Sequence, residues 1–352
     1  MAFKFNRYRF SPQERLNFTQ QLASLLGAGI PLEKALAILG KLKFSPQMGD
    51  VINQLRRMLQ EGLSFTMALE RFPSHFPPLF ISMVRAGEAG GILPQVLQKL
   101  AQYLEEELNL RRFIISSLFY PVILMIASIV AIIFYVVNVI PQFKSIFADM
   151  GAQLPLITRL VMICGQGLLT FWPLALITVL FAIGWFVKES ATAEGRIRLD
   201  RLKLRLPLAG PVLRKIAISR LTLALSLLYE SGVSFLSSLS IAGEIMGNRF
   251  LAKALAEVES EVRQGNTLAG SLAAKHVFPV LAVEMIGVGE ESGNLGPMLQ
   301  QVSRTYDGEV KHSLSVFVSV FEPLMILVMV GVIAILAVAV LLPVTNISNQ
   351  IQ

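Results

Sequence analysis

The sequence predicts an all-α polytopic membrane protein, with two homologous cytoplasmic six-helix bundles and three transmembrane helices. Three observations carry that prediction. Three long apolar runs hold no charge. Outside them, apolar side chains recur at helical spacing, and the period-2 alternation of strands is missing. The whole pattern of bundle followed by apolar run then occurs twice. Composition agrees: 54% of residues are hydrophobic and 16% charged, against about 25% charged in a soluble domain.

Taken in order, the first bundle opens at Ser11-Pro12-Gln13-Glu14, a capping box with proline at the first helical position. Phe18, Leu22, Leu25 and Leu26 follow on one face. Gly27 and Gly29 break that helix, and Pro31 starts a second that carries Leu32, Ala35, Leu36 and Leu39. Ser45-Pro46 caps a third with Val51, Leu55, Met58 and Leu59, and Gly62 stops it. Ser64 caps a short fourth helix, a fifth spans about 78–86, and a sixth begins at Leu93-Pro94.

That sixth helix runs toward the first apolar segment. No charged residue lies between Arg112 and Lys144, nor between Arg159 and Lys188, and the run Pro323 to Pro343 is the most apolar of all. Each matches the roughly 20 residues needed to cross a bilayer. Trp172 and Trp185 flank the second run as interfacial anchors would. Basic residues set the orientation. Arg111 and Arg112 precede the first span, and Lys188, Arg196, Arg198, Arg201, Lys203, Arg205, Arg214 and Lys215 follow the second, whereas the intervening loop has only Lys144 and Arg159 as basic residues. The N-terminal and middle regions are therefore expected in the cytoplasm. The N-terminal stretch, polar and basic, lacks the apolar core of a cleaved signal peptide.

The repeat fixes the organisation. At an offset of 203, Gly29 falls on Gly232, Leu36 on Leu239, Gly62 on Gly265 and Leu69 on Leu272. One residue is lost in a loop, and at 202 Phe76-Pro77 falls on Phe278-Pro279, Gly87-Glu88 on Gly289-Glu290, Gly91 on Gly293, Pro121 on Pro323 and Pro141 on Pro343. The expected segments are a bundle at 10–112, spans at 113–140 and 161–187 around a loop at 141–160, a basic linker at 188–215, a second bundle at 216–316, a third span at 317–343 and a tail at 344–352.

The stretch LASLLGAGIPLEKAL, the RAGEAGG and GEESGNL turns, the basic LPLAGPVLRK segment and Phe321-Glu322-Pro323 resemble the inner-membrane platform proteins of type II secretion and type IV pilus machines. The resemblance covers the chain from about Phe10 to Pro343 and includes the duplication and the three spans. Many members of that family carry a longer N-terminal arm before the first bundle, so no docking role for such an arm is carried over. The resemblance implies a non-enzymatic scaffold in the inner membrane, with the loop at 141–160 and the C-terminal tail in the periplasm. It also implies contacts with a cytoplasmic hexameric ATPase, pilin-like subunits and other inner-membrane components of the machine, and a homo-oligomer. The rival reading from another class is a small-solute transporter, which three spans line poorly.

The residues themselves point away from catalysis. GxxxxGK[ST], HExxH, GxSxG and a pair of intramembrane aspartates are all missing. His75, His276 and His312 lack metal-ligand spacing, and His75 reads as a solvated loop residue. Cys164, the single cysteine, reads as a small apolar side chain. No cofactor and no nucleic acid is expected; the basic linker reads as a surface attracted to anionic lipid. The run Glu105-Glu106-Glu107 reads as a solvated face.

Two sets of residues stand out. Gly87, Glu88 and Gly91, with Gly289, Glu290 and Gly293, read as a structural joint or a partner contact. Gly87 or Gly90 is expected to take the left-handed conformation ending a helix, and Glu88 to sit at the N-terminus of the helix beginning near Leu93, with Glu290 doing the same in its copy. Glu322, Pro323 and Pro121 mark the membrane boundary, where an ionisable residue is a functional candidate.

Overall fold

The computed structural model describes residues 10–42, 44–134, 137–138, 174, 177–178, 180–181, 184–185, 187–207 and 209–348. Among these, the regular structure is helical and no strand occurs. Cys164, the loop at 141–160 and most of the second apolar run lie outside the described residues. The chain divides into two compact units: one joins the chain up to Phe113 with Ile197–Lys311, and the other contains Ile114–Arg196 and the chain from His312 onward.

In the first unit, the first repeat contributes α1 (Pro12–Gly27), α2 (Leu32–Leu39), α3 (Pro46–Gln60), α4 (Phe65–Glu70), α5 (Pro78–Ala89) and the start of α6 (Leu93–Phe134). The capping box forms: the Ser11 amide donates to Glu14 Oε2 at 3.0 Å and the Glu14 amide to Ser11 Oγ at 3.1 Å. Ser45 and Ser64 accept from the amides of Met48 and Met67. Gly29 and Gly62 take φ of 79° and 90°, a region open to glycine without a Cβ clash.

The core of this repeat is aromatic. Phe18, Phe65, Phe76 and Phe80 are fully buried, and the Phe76 ring lies 5.0 Å from Phe80 and 5.9 Å from both Phe18 and Phe10. Each such ring contributes about 1.5–3 kcal/mol by leaving water. His75 belongs to this core and is not solvated: it is 6% exposed, its ring lies 4.2 Å from Phe10, and Ser74 Oγ sits 2.9 Å from Nδ1. The proline-flanked loop that suggested solvent exposure folds inward because the aromatic cluster draws the imidazole in.

The basic linker contributes α7 (Ala193–Arg205), and with the second repeat come α8 (Ala209–Glu230), α9 (Phe235–Ile245), α10 (Arg249–Arg263), α11 (Leu268–Ala274), α12 (Val280–Glu291) and α13 (Leu295–Ser348). The core of the second repeat is leucine-rich, with Leu225, Leu228, Leu239, Leu251, Leu255 and Leu299 buried. Buried hydroxyls accompany the leucines. Ser219 donates to Asp307 Oδ1 at 2.6 Å, and Ser226 to the Gly296 carbonyl at 2.9 Å, joining α8 to α13. The basic segment is helical: Asp200 in α7 accepts from the Arg249 amide at 2.9 Å and from Lys203 at 2.8 Å, which fastens α7 to the start of α10.

The two repeats meet within this unit. Helix α5 packs on α8 and α9, Lys99 pairs with Glu230 at 2.8 Å, and Arg220 lies 3.8 Å from Glu107. Burial pushes the Tyr103 hydroxyl far up its pKa scale, aided by the Glu107 charge. Burial also raises the Glu106 carboxyl, and nearby Asp307 raises it further. The Glu105-Glu106-Glu107 run is nonetheless mainly a solvated face, with Glu105 and Glu106 exposed and Glu107 half-buried toward Arg220.

In the second unit, α6 and α13 supply the long apolar helices. Pro121 is buried inside α6, and Pro323 is exposed inside α13. Both helices continue through their prolines.

Candidate functional site

The sequence places its two glycine-rich turns at matching points of the repeat, and the structure gives each residue a separate task. Helix α4 has six residues and α11 seven, so nearly every amide in them is an N-terminal orphan with no intrahelical acceptor. Glu88 supplies the missing acceptor to α4. Its Oε1 accepts from the Phe65 amide at 2.7 Å, and its Oε2 from the Thr66 amide at 2.9 Å and the Thr66 hydroxyl at 2.6 Å. In the copy, Glu290 accepts from the amides of Leu268 at 2.7 Å and Ala269 at 3.0 Å, at the start of α11. The negative charge also favours the positive end of each helix.

The expectation that these glutamates serve the helix beginning near Leu93 is therefore corrected. Glu88 still belongs to α5, so its side chain leaves sideways toward α4 instead of along the chain. A charged acceptor at a helix start is right; the helix is another one, reached through the fold. A sequence signal for it does exist: a helix this short cannot satisfy its own amides and needs an outside carboxylate.

The glycines divide the remaining work. Gly91 and Gly293 both take φ of 67°, and neither Gly87 nor Gly90 is left-handed. The Ile92 amide donates to the Gly87 carbonyl at 2.9 Å, and Asn294 to the Gly289 carbonyl at 2.9 Å, closing α5 and α12. Gly87 and Gly289 instead permit close helix packing. A Cβ at Gly87 would stand 3.0 Å from the Val96 side chain, and one at Gly289 would stand 2.7 Å from Met298 Cβ. The turn thus locks α4, α5 and the start of α6, and its copy does the same for α11, α12 and α13. Such an arrangement holds a shape. Its carboxylates are already occupied by backbone donors.

Near the start of the long apolar stretches of α6 and α13, Tyr120 donates to Glu322 Oε1 at 3.2 Å. The 202-residue offset makes these two the same position of the repeat, so equivalent points of α6 and α13 touch. Pro121 and Pro323 follow each in sequence. No cluster of three or more His, Cys, Asp or Glu side chains suited to a metal occurs among the described residues. One contact that the spacing did not reveal is Lys275, which pairs with Glu257 at 3.0 Å and Glu261 at 2.9 Å; the hydrogen bond to Glu261 raises the lysine's pKa.

Fold and joint together define a duplicated helical membrane scaffold whose special residues fix geometry. The family model described as "Type II secretion system (T2SS), protein F" matches twice, at residues 18–141 and 221–343, and the chain belongs to that family. Among its relatives is a type IV pilus assembly protein PilC of Thermus thermophilus, 35% identical over 340 residues, which are 95% of this chain and 82% of the relative. A type II secretion system protein F of Xanthomonas campestris pv. campestris is 36% identical over 337 residues, covering 96% and 83%. A type IV pilus assembly protein PilC of Pseudomonas aeruginosa is 31% identical over 345 residues, covering 97% and 92%.

Proposed function

We propose that this chain is the inner-membrane platform protein of a type II secretion or type IV pilus machine, acting as a non-enzymatic scaffold. The observation that supports this best is the double family match, each half of which pairs a helical bundle with an apolar helix. The relatives' names support assembly and lend nothing to solute transport. The chain crosses the membrane three times, with the N-terminus and both bundles cytoplasmic and the C-terminus periplasmic. The segments run as the hydropathy divides them, from the bundle at 10–112 to the tail at 344–352.

The working mechanism is mechanical coupling. A cytoplasmic hexameric ATPase acts on the bundles, and α6 and α13, each a single helix from bundle to apolar segment, transmit the displacement to pilin-like subunits. Other inner-membrane components of the machine and anionic lipid at the basic α7 complete the set of partners. In this reading the Gly87-Glu88-Gly91 and Gly289-Glu290-Gly293 turns stiffen the root of each transmitting helix, and the Tyr120–Glu322 contact ties the two helices where they enter the membrane.

The test uses full-length protein in lipid nanodiscs and the cognate assembly ATPase with each nucleotide bound. Binding in at least one nucleotide state is expected, as is loss of surface filaments or secreted protein when the gene is deleted. An ATPase that never binds removes direct coupling. Wild-type filaments and secretion in the deletion strain remove the platform role altogether. If Glu322→Ala leaves assembly intact, the boundary glutamate has no functional part.

A further inference from the structure

The two repeats use one surface in different ways. Leu79 in α5 is 2% exposed on a helix that packs against α8 and α9, whereas Leu281, its counterpart at the 202-residue offset, is 54% exposed in α12. The rest of that α12 face is bare as well: Val280 is 75% and Val288 55% exposed, with Glu284 and Glu291 exposed beside them. At about 100° per residue these five positions fall on one stripe of the helix. An apolar stripe of this kind on a helix outside the membrane is a sign of a covered surface.

Within the chain, α5 is covered by α8 and α9 of the other repeat. By the same repeat, α1 and α2 are the counterparts of α8 and α9, and no comparable contact joins them to α12 among the described residues. They too leave a matching stripe uncovered. Lys34, Ile38 and Lys41 follow at helical spacing; both lysines are exposed, and the adjoining Leu42 is 46% exposed. Neither lysine forms an ion pair among the described residues, and the same holds for Glu284 and Glu291. At the equivalent positions of the other repeat, Ser82, Ala89 and Ser237 stand where the open halves have Glu284, Glu291 and Lys34, and Glu244 stands where they have Lys41. The open halves are therefore complementary in charge as well as in apolar character.

We propose that the α12 stripe of Val280, Leu281 and Val288 docks on the α1–α2 face of a second copy of this chain, pairing Glu284 and Glu291 with Lys34 and Lys41. The contact repeats between molecules the one that α5 makes with α8 and α9 within a molecule. Because it joins two different faces it is heterologous, and it generates a ring or an open row of copies according to the rotation at each step. It is independent of the ATPase and of the cargo of the machine.

The experiment is energy transfer between donor- and acceptor-tagged full-length chains in liposomes, with association read as a function of protein density. Wild type should associate. Glu284→Lys with Glu291→Lys should weaken association at least tenfold, and so should Lys34→Glu with Lys41→Glu in a separate chain. Mixing the two charge-reversed chains should bring association back to within about threefold of wild type, as paired charge reversals do across a real contact. Leu281→Ser, at an exposed position that folding does not need, should also weaken it without changing charge. Wild-type chains that do not associate overturn the proposal. So does an unchanged Lys34→Glu, Lys41→Glu chain, which would point to an α12-to-α12 contact, or a mixture that fails to recover.

Discussion

The first repeat builds its core from phenylalanine, and the second builds its own from leucine with hydroxyls inside. Phe18, Phe65, Phe76 and Phe80 fill the first; in the second, Phe278 alone corresponds to a buried ring, and Ser219, Thr222, Ser226 and Ser303 are enclosed near α13. The joint at the end of each bundle barely changes. Two glycines and a glutamate keep their geometry while the packing behind them diverges, because a backbone amide and a left-handed turn have few substitutes and an apolar volume has many. Duplication thus leaves the joint fixed and lets cores and surfaces drift.

The largest effect should come from breaking the aromatic core. Phe76→Ala removes a ring packed on three others, and we expect a loss of about 4–5 kcal/mol, against about 3 for Phe278→Ala, which is buried at 8% exposure but stacks on no ring of such a cluster. Thermal melting of the full chain in detergent compares them; equal losses would mean that the two cores are energetically alike.

Next comes the cap. Glu88→Ala strands two amides and a hydroxyl, so a loss of about 2–4 kcal/mol is expected, with about 1–3 for Glu290→Ala, which strands two amides. The same melts should rank them in that order. If Glu88→Gln instead leaves melting unchanged and abolishes ATPase binding, the glutamate is a partner contact.

A smaller difference is expected at the packing glycines. Gly289→Ala meets Met298 Cβ at 2.7 Å, and Gly87→Ala meets Val96 at 3.0 Å. We expect about 1–2 kcal/mol for the former, overpacking being eased by the better helix propensity of alanine, and less for the latter. The order is the test: a Gly87→Ala chain that melts lower than Gly289→Ala contradicts the geometry.

The smallest effect concerns the contact between repeats. Glu106 has its carboxyl pKa raised in the fold, so the folded state holds its proton more tightly than the unfolded chain does. Its contribution to stability is therefore fully present below the ordinary carboxylate range and is lost as pH rises through the elevated folded value. Glu106→Gln should melt above wild type at pH 7, and the gap should close as pH falls toward 4. Arg304 and Lys311 moderate the shift. A gap that widens on acidification would reverse the assigned sign.

Much of this was legible in the residues. Capping boxes, glycine stops and helical periodicity are local, so Ser11, Ser45, Ser64, Gly29 and Gly62 announced the helices that form. The duplication showed in spaced identities, since a repeat preserves register even when cores are rebuilt. The joint is legible but its wiring only half so: the shortness of α4 shows that its amides need an outside acceptor, yet nothing in the order of residues tells that Glu88 supplies it to Phe65 and Thr66 rather than serving the helix that follows. The burial of His75 is illegible for the same reason, because it depends on Phe10, remote in sequence.

The sequence by itself determined which segments are helical, which are apolar enough to cross a bilayer and that the unit occurs twice, because these depend on neighbours within a few residues. Only the tertiary structure decided which helix each glutamate caps, which glycine turns left and which merely makes room, and that Leu79 is covered while Leu281 is bare. Those outcomes depend on what another part of the chain brings within about 3 Å, the reach of a hydrogen bond or a packed side chain, and linear spacing carries no record of that.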